Sequence, residues 1–450
     1  LKITGALRGR PARPTHRELG RQDAVGAAMR LARLLAAAVV AAAGLAVSEG
    51  FAVVGYVPDY RMDFMDWEQA VTLTTHLVLF SLEPRADAGL EGVGRIKAVL
   101  QPGSPLSRAL GKAENPAKVL LTLGGAGRSQ HFAKIAGSKK ARKKLAQSIA
   151  ELFEEFPVLG GLDLDWEVPT SATQWRDFGK LAQELRSSWE ERPKLAERDG
   201  ALMLTMTYHP GTAAVPAFGN LRAKKSEKAF VDLFDLCHSM AYSHFDSERR
   251  HSTDAMDKSA VDEWRKYGLP LNRLTLGMPF FGVSRGSGET LSYADIVSRD
   301  PTVERRPEAD ESRDGVYFIN KGSMAQKVQY AGLQGLAGVM VWELGQDKKG
   351  SMQQHVWRAA EEVRGSWRYQ LSWLPFGENH VIMVLSALAG AYLLREVVIG
   401  SPPGHKQAEL RPPRSEARHS EAPTDGDAAA APAAAPAEEP TAGASEGERG

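Results

Sequence analysis

Eight short apolar runs, most of them followed by an amphipathic helical pattern, constrain the fold of this chain more than any other feature. The runs are rich in β-branched residues and end in small or polar ones, as buried strands do. Strands that alternate with helices predict a parallel sheet, and eight of them favour a closed (β/α)8 TIM barrel over a doubly wound open sheet. Two clear helical patterns cover 138–153 and 174–189. The predicted strands are 52–56, 76–81, 118–123, 161–166, 202–207, 236–241, 273–278 and 338–342.

The segments before the barrel differ from it in charge and hydropathy. Residues 1–28 hold six Lys/Arg and two Asp/Glu without apolar periodicity, and we interpret them as a basic disordered leader or an extension of the gene model. From Met29, two arginines precede an uncharged apolar run, and Ala46 and Ser48 are small residues spaced as at a signal-peptide cleavage site. We therefore interpret 29–48 as a signal peptide, which predicts the secretory pathway and an extracellular or membrane-tethered product. An Ala-rich helix or an organelle-targeting segment is the alternative.

The barrel domain is predicted to cover 49–370, and a second apolar segment follows it. The uncharged run 381–394 is too short for the ~30 Å hydrocarbon core of a bilayer. Extending it to 379–399 brings in Arg395 and Glu396, so a membrane anchor and a soluble helix packed on the domain both remain open. Residues 400–450 are rich in Ala, Pro and Glu and lack aromatic residues, which predicts a disordered tail.

Composition excludes several classes of protein and site. The single cysteine, Cys237, excludes an intramolecular disulfide and a zinc site built on cysteines. A net charge of +1 argues against a nucleic-acid partner, and we interpret the basic run 139–144 as the solvated face of a helix. The sequence shows no His/Asp/Glu pattern with metal-ligand spacing. We therefore expect no metal and no cofactor, and we expect a monomer.

One predicted strand carries an acidic residue at every second position: Asp163, Asp165 and Glu167. Because side chains alternate along a strand, all three are predicted to point into the barrel while the apolar residues between them pack on helices. Burying like charges together raises the pKa of at least one carboxyl group, and a protonated carboxylic acid can cleave an ether-like bond. Glu167 lies nearest the C-terminal mouth, where the active sites of such barrels sit.

The segment 160–167, with the sequence GGLDLDWE, resembles the D-G-x-D-x-D-x-E strand of family 18 glycoside hydrolases, the chitinase family. Further segments resemble other strands of that family, in the same order along the chain. These segments are 53–56 (VVGY), 121–125 (LTLGG), 240–242 (MAY), 277–282 (GMPFFG) and 341–344 (VWEL).

The resemblance implies hydrolysis of β-1,4 bonds between N-acetylglucosamine units, in chitin or chito-oligosaccharides, with retention and with assistance from the substrate's own acetamide. It implies that Glu167 protonates the glycosidic oxygen and later activates water. Asp165 would bind the acetamide N–H, and Asp163 would position Asp165 and share a proton with it. Tyr242 would donate its hydroxyl to the acetamide oxygen.

Three further residues are implied to bind substrate. Trp342 would form the aromatic floor under the sugar at the cleavage point, and Tyr56 and Met240 would line the same pocket. The implied partner is a polysaccharide or oligosaccharide that contains N-acetylglucosamine.

The chain departs from the family pattern at several positions. Gly160 replaces the first acid of the motif, and we expect this to remove the outermost carboxylate of the row and a proton-sharing partner of Asp163. Ser243 stands where the family usually has Asp or Asn, and Phe281 where it often has Tyr. The short segment from Phe281 to Gly338 predicts that the α+β insertion of some chitinases is absent or reduced.

Two alternatives to a chitinase remain open. The departures favour a non-catalytic lectin for N-acetylglucosamine on the same fold, whereas the presence of Glu167 argues against it. The same reaction on another substrate, the chitobiose core of N-glycans or peptidoglycan, is also compatible with the sequence. Four histidines, His76, His209, His238 and His244, lack ligand spacing, and we interpret them as structural or loop residues.

Overall fold

The structure is a computed structural model that describes residues 50–211, 213–221, 229–242, 244–306, 308–366 and 369. Several predicted features lie outside the described residues: the leader 1–28, the signal peptide 29–48, the apolar segment 379–399, the tail 400–450 and Ser243. Among the described residues, no helix has both the length and the apolar character needed to cross a bilayer.

The barrel consists of eight parallel strands, and each predicted strand overlaps an observed one, so the predicted TIM barrel is confirmed. Around the barrel the strands follow the order β1, β2, β4, β5, β6, β7, β8 and β12, and β12 pairs with β1 to close it. In chain order the strands are β1 (Ala52–Pro58), β2 (His76–Pro84), β3 (Leu90–Glu91), β4 (Lys118–Gly124), β5 (Leu159–Asp165), β6 (Met203–Tyr208), β7 (Leu236–Ser239), β8 (Leu274–Pro279), β9 (Phe281–Ser284), β10 (Thr290–Ser292), β11 (Val316–Phe318) and β12 (Gly338–Trp342).

Helices lie between the barrel strands in the chain, and the two helical patterns singled out in the sequence correspond to α5 and α6. The helices are α1 (Trp67–Thr72), α2 (Val93–Leu100), α3 (Pro105–Lys112), α4 (Phe132–Gly137), α5 (Lys139–Glu155), α6 (Ala172–Glu190), α7 (Pro193–Ala196), α8 (Ala214–Gly219), α9 (Asp254–Lys266), α10 (Tyr293–Arg299), α11 (Lys321–Leu333) and α12 (Ser351–Gly365). Serine side chains cap the two long helices: Ser138 accepts a hydrogen bond from the backbone of α5, and Ser171 from that of α6.

The side chains of β5 separate into an outer apolar set and an inner acidic set, as the period of two predicts. Leu162 and Leu164 are fully buried in the apolar core of the domain. The ring of Trp166 stacks on Phe132 of α4 at 5.4 Å and meets Phe178 of α6 edge-on at 5.6 Å. This packing places the outer face of β5 against helices and leaves its carboxylates to the barrel interior.

A small insertion separates β8 from β12. It contains the antiparallel sheet β10-β9-β11 and the short helix α10. The predicted reduction of the α+β insertion is therefore observed, and a three-stranded remnant is present. This remnant stands beside the barrel mouth, because Phe281 and Val283 of β9 line the cavity described next.

A candidate active site at the barrel mouth

A cavity of about 440 Å³ opens at the C-terminal ends of the barrel strands. Six of the seven predicted site residues line it, namely Tyr56, Asp165, Glu167, Met240, Tyr242 and Trp342. The seventh, Asp163, precedes Asp165 by two positions on β5 and is completely buried. The structure thus brings together the residues that the sequence placed in one site.

Asp163 lies at the centre of a ring of hydroxyl donors. Thr205 donates to its Oδ1 at 2.7 Å, and Tyr56 and Thr122 donate to its Oδ2 at 2.9 and 3.2 Å. Thr207 lies 3.4 Å from Oδ2. Burial raises the pKa of Asp163 above its ordinary value, while these hydrogen bonds act in the opposite direction. Four hydroxyl groups from three strands, β1, β4 and β6, hold this carboxyl group in one position.

Asp165 is the carboxyl group whose environment most favours the protonated form. Its side chain is 3% exposed, and its Oδ1 has no hydrogen-bond partner among the described residues. Burial raises its pKa well above the ordinary value, and the negative charges of Glu167 and Asp163 raise it further. A buried acceptor without a partner, facing a cavity, is suited to bind an N–H group of a ligand.

Glu167 follows the end of β5, and its backbone N–H donates to Ser129 Oγ at 3.1 Å. Its Oε2 lies 3.0 Å from Nε2 of His209, which follows the last residue of β6. The two side chains have similar exposures, 20% for Glu167 and 22% for His209. His209 is a loop residue, as the sequence analysis interpreted it, and it also lines the cavity beside Glu167, because β6 pairs with β5 and their C-terminal ends are adjacent.

Tyr242 follows β7, two strands along the barrel from β5, and lines the same cavity. Its ring is buried and meets Phe281 edge-on at 6.0 Å, and its hydroxyl lies 3.8 Å from Met340 Sδ. Burial raises the pKa of this hydroxyl well above the ordinary value, and the negative charges of Asp165 and Glu167 raise it further. The hydroxyl therefore keeps its proton and can act as a hydrogen-bond donor.

An aromatic cluster forms another wall of the cavity. The ring of Trp342 lies 4.8 Å from Phe80 and 5.7 Å from Tyr56. Met240 also lines the cavity and is 7% exposed. The indole of Trp342 remains partly exposed at the cavity, so a sugar ring can stack on it.

Several residues at the site carried no recognisable signal in the sequence. The guanidinium of Arg128 lies over the ring of Phe80 and pairs with Asp59 at 3.0 Å. Tyr60 and Phe245 line the cavity and are 58% and 51% exposed. All of these except Phe80 belong to segments that follow barrel strands, where proximity depends on the closed barrel and not on sequence spacing.

The prediction that Gly160 removes a member of the inward row of carboxylates is wrong. Leu159 of β5 pairs with Val119 of β4, and the next pair is Gly161 with Leu120. Gly160 is therefore the extra residue of a β-bulge. A Cβ built at Gly160 would lie 2.4 Å from Cγ of Lys118, at the N-terminal end of β4. An acid at this position would lie beside Lys118, away from the mouth.

His238 of β7 is fully buried, and His76, the first residue of β2, is half-buried; neither lines the cavity, which fits their interpretation as structural residues. Burial lowers the pKa of each imidazole to about 3, so both are neutral near pH 7. Nδ1 of His238 is 2.7 Å from Thr275 Oγ1, and Nδ1 of His76 is 2.8 Å from Thr75 Oγ1. Within the described ranges, His, Cys, Asp and Glu side chains form no group of three or more that could hold a metal ion.

Comparisons with known proteins identify what this chain is similar to. The sequence model of the family described as "Glycosyl hydrolases family 18" matches residues 51–347. Chitinase 1 of Aphanocladium album is 26% identical over 281 residues, which are 54% of this chain and 64% of that protein, so the chain spans less than two thirds of this relative.

Solved structures of the same fold include an enzyme and an agglutinin. A plant class V chitinase mutant from Cycas revoluta, in complex with (GlcNAc)3, has a TM-score of 0.55 and 21% identity, covering 68% of this chain and 99% of that one. The chitinase-like agglutinin RobpsCRA from Robinia pseudoacacia also has a TM-score of 0.55, with 19% identity and the same coverage of 68% and 99%.

Proposed function

This chain belongs to glycosyl hydrolase family 18, and we propose that it hydrolyses β-1,4 bonds between N-acetylglucosamine units with retention of configuration. The observation that carries the proposal is the row of Asp163, Asp165 and Glu167, which rises from the barrel interior to a cavity also lined by Tyr242 and Trp342. A glycosidase of this kind needs one acid at the mouth and a second carboxyl group that binds the acetamide of the substrate.

In the proposed first step, Glu167 donates a proton to the glycosidic oxygen, and the bond between that oxygen and the anomeric carbon breaks. The acetamide oxygen of the same sugar attacks the anomeric carbon, forming a cyclic oxazolinium intermediate. The leaving sugar departs as an alcohol, and Glu167 remains as a carboxylate. Water then attacks from the face that the leaving group vacated, and Glu167 takes its proton, which restores the starting state.

The proposed role of Asp165 is to accept the acetamide N–H. Its Oδ1 is buried without a partner among the described residues, so a substrate N–H would satisfy it. The positive charge on the oxazolinium ring would favour ionisation of Asp165, whose pKa is raised in the free protein chiefly by burial. Asp163, whose carboxyl group accepts hydrogen bonds from hydroxyl groups, would hold Asp165 in place from deeper in the barrel.

Tyr242 and Trp342 are proposed to orient the reacting sugar. The hydroxyl of Tyr242 would donate to the acetamide oxygen and direct it at the anomeric carbon, which lowers the entropic cost of the attack. The partly exposed indole of Trp342 would stack on the apolar face of the sugar, with Tyr56 and Met240 completing the pocket.

The variant Glu167→Gln tests the proposed reaction, because glutamine keeps the shape of the side chain and cannot donate the proton. We expect the full chain to release short oligosaccharides from (GlcNAc)5, and the variant to lose at least ~100-fold in kcat while still binding the substrate. The matched control is Glu155→Gln, at an exposed ion pair with Lys97 outside the cavity. Equal rates for Glu167→Gln and the unchanged chain would contradict the assignment of the acid.

The same experiment separates the alternatives. Binding of (GlcNAc)5 by the unchanged chain without turnover between pH 3 and pH 8 would identify a lectin. Release of glycan from an N-glycoprotein, or of fragments from peptidoglycan, with chito-oligosaccharides left intact would change the substrate and keep the chemistry.

We also propose that the protein enters the secretory pathway. The proposal is supported by the sequence pattern of 29–48, in which an arginine-flanked apolar run precedes small residues at Ala46 and Ser48. N-terminal sequencing of the protein recovered from a secreting host is expected to begin after Ser48, and recovery of an uncleaved chain from the cytosol would contradict it.

A further inference from the structure

Glu167 has a polar neighbour of its own, and that neighbour plays no part in the reaction derived above. Nε2 of His209 lies 3.0 Å from Oε2 of Glu167, within hydrogen-bond distance, and neither side chain is fully buried. The contact joins the residue after β6 to the residue two positions beyond β5, across the edge where these strands pair.

The chemistry of a carboxylate determines what this contact does. An ionised carboxylate can only accept hydrogen bonds, so Nε2 of His209 must carry a proton whenever Glu167 is ionised. This bond occupies Oε2 and leaves Oε1 as the oxygen that carries the transferable proton. A hydrogen bond to an ionised group is also stronger than one to a neutral group, so the contact favours the state of Glu167 that follows proton donation.

We propose that His209 is a positioning residue that selects Oε1 of Glu167 as the proton-donating oxygen and stabilises the Glu167 carboxylate after the proton has left. The catalytic role of Glu167 in this statement rests on the proposed function. The coupling between the two side chains does not depend on it, and the experiment below measures that coupling separately.

Other titratable and charged groups around the pair come from several elements. Asp165 of β5 and Tyr242 after β7 face Glu167, and each of the two interacts electrostatically with the Glu167 carboxyl group. Arg128, in the loop after β4, lines the same cavity. Among these groups His209 is the one in hydrogen-bond contact with the Glu167 carboxylate, and the substitutions below leave the others in place.

The surroundings of His209 include two further titratable groups. His244 lies close enough that the positive charge of His209 helps to lower its pKa, after burial as the larger cause. Glu263 of α9 accepts the backbone N–H of Gly211 at 3.4 Å, two residues after His209. Both groups are retained in every variant proposed here, so a changed NMR signal of Glu167 reports on His209 itself.

Carbon-13 NMR of the full chain labelled at glutamate carboxyl groups tests the coupling directly at pH 7, with the Glu167 resonance assigned by its loss in Glu167→Gln. Removing the donor by His209→Ala is expected to move the carboxyl chemical shift of Glu167, because the carboxyl group loses its hydrogen-bond donor. His209→Gln keeps a donor without the charge, and a smaller displacement is expected. His355→Ala, on α12, is the control and should leave the chemical shift unchanged. A Glu167 chemical shift that is the same in His209→Ala as in the unchanged chain would overturn the proposal.

A second spectrum guards against misfolding of His209→Ala. In Glu167→Gln the imidazole of His209 loses its carboxylate acceptor, so the nitrogen-15 chemical shift of its Nε2 is expected to move relative to the unchanged chain. An unaltered Nε2 chemical shift would also overturn the proposal.

Kinetics on (GlcNAc)5 then separate this inference from the proposed function. We expect His209→Ala to lower kcat about ten-fold with KM within two-fold, and His209→Gln to recover part of the loss. If the unchanged chain hydrolyses no substrate, the proposed function fails, and the two NMR comparisons still decide whether His209 and Glu167 are coupled.

Discussion

Replacing Thr205 by Val removes the shortest hydrogen bond to the buried carboxyl group of Asp163 while keeping the shape of the side chain. The lost bond is 2.7 Å long, and Asp163 retains Tyr56 at 2.9 Å and two threonine donors at longer distances. A buried hydrogen bond to a charged group contributes about 1.5–3 kcal/mol, so we expect the free energy of unfolding to fall by about 2 kcal/mol near pH 8.

The loss should depend on pH, and its sign follows from the pKa of Asp163. Because burial raises that pKa above the ordinary value, Asp163 contributes stability at low pH that is lost as pH rises through the folded-state pKa. Removing a donor to the carboxylate raises the pKa further and enlarges this loss. At pH values below the pKa the carboxyl group is neutral, and the cost of the substitution should fall to about 1 kcal/mol.

Thr275→Val is the matched control, since it removes a buried threonine hydroxyl that bonds to an uncharged partner. Thr275 Oγ1 lies 2.7 Å from Nδ1 of His238, whose pKa burial lowers to about 3. The control should therefore cost about 1 kcal/mol at every pH from 4.5 to 8. Urea unfolding followed by tryptophan fluorescence measures both variants. A flat pH dependence for Thr205→Val, or one that matches Thr275→Val, would refute the reasoning.

Two further predictions follow from the site and from β5. Asp165→Asn should abolish hydrolysis and raise the free energy of unfolding at pH 7 by ~1 kcal/mol or more. The gain should grow with pH, because the raised pKa of Asp165 makes its ionisation costly to the folded state. Thermal unfolding across pH checks this, and a variant less stable than the unchanged chain at pH 8 would contradict it. Gly161→Ala should lower the free energy of unfolding by about 2–4 kcal/mol, because its Cβ would lie 2.5 Å from the backbone oxygen of Met203. Gly160→Ala would meet the flexible side chain of Lys118 and should cost less than ~1 kcal/mol. Equal losses of stability in urea unfolding would contradict the comparison.

The barrel and most of the site could be predicted from the sequence because their signals are local. Each buried strand is an apolar run of its own, and the alternation along β5 is visible in eight consecutive letters. The acidic side chains of Asp163 and Asp165 therefore point inward as the period of two requires, with the apolar residues between them packed on helices.

What the sequence could not predict depends on contacts between strands. His209 reaches Glu167 because β5 and β6 are paired. The sequence does place His209 directly after β6, and combining that position with the strand order of the barrel could have predicted the contact. The threonine donors to Asp163 come from neighbouring strands in the same way. Gly160 was placed incorrectly because a bulge interrupts the alternation, and a bulge is a property of the pairing with β4.

The configuration of the first product is the most direct test of substrate-assisted hydrolysis by Glu167 and Asp165. Proton NMR during cleavage of (GlcNAc)5, recorded faster than mutarotation, distinguishes the two anomers of the new reducing end. Attack by the acetamide followed by attack of water inverts the anomeric carbon twice, so the β-anomer is predicted to appear first and then to equilibrate. Initial appearance of the α-anomer would contradict the mechanism.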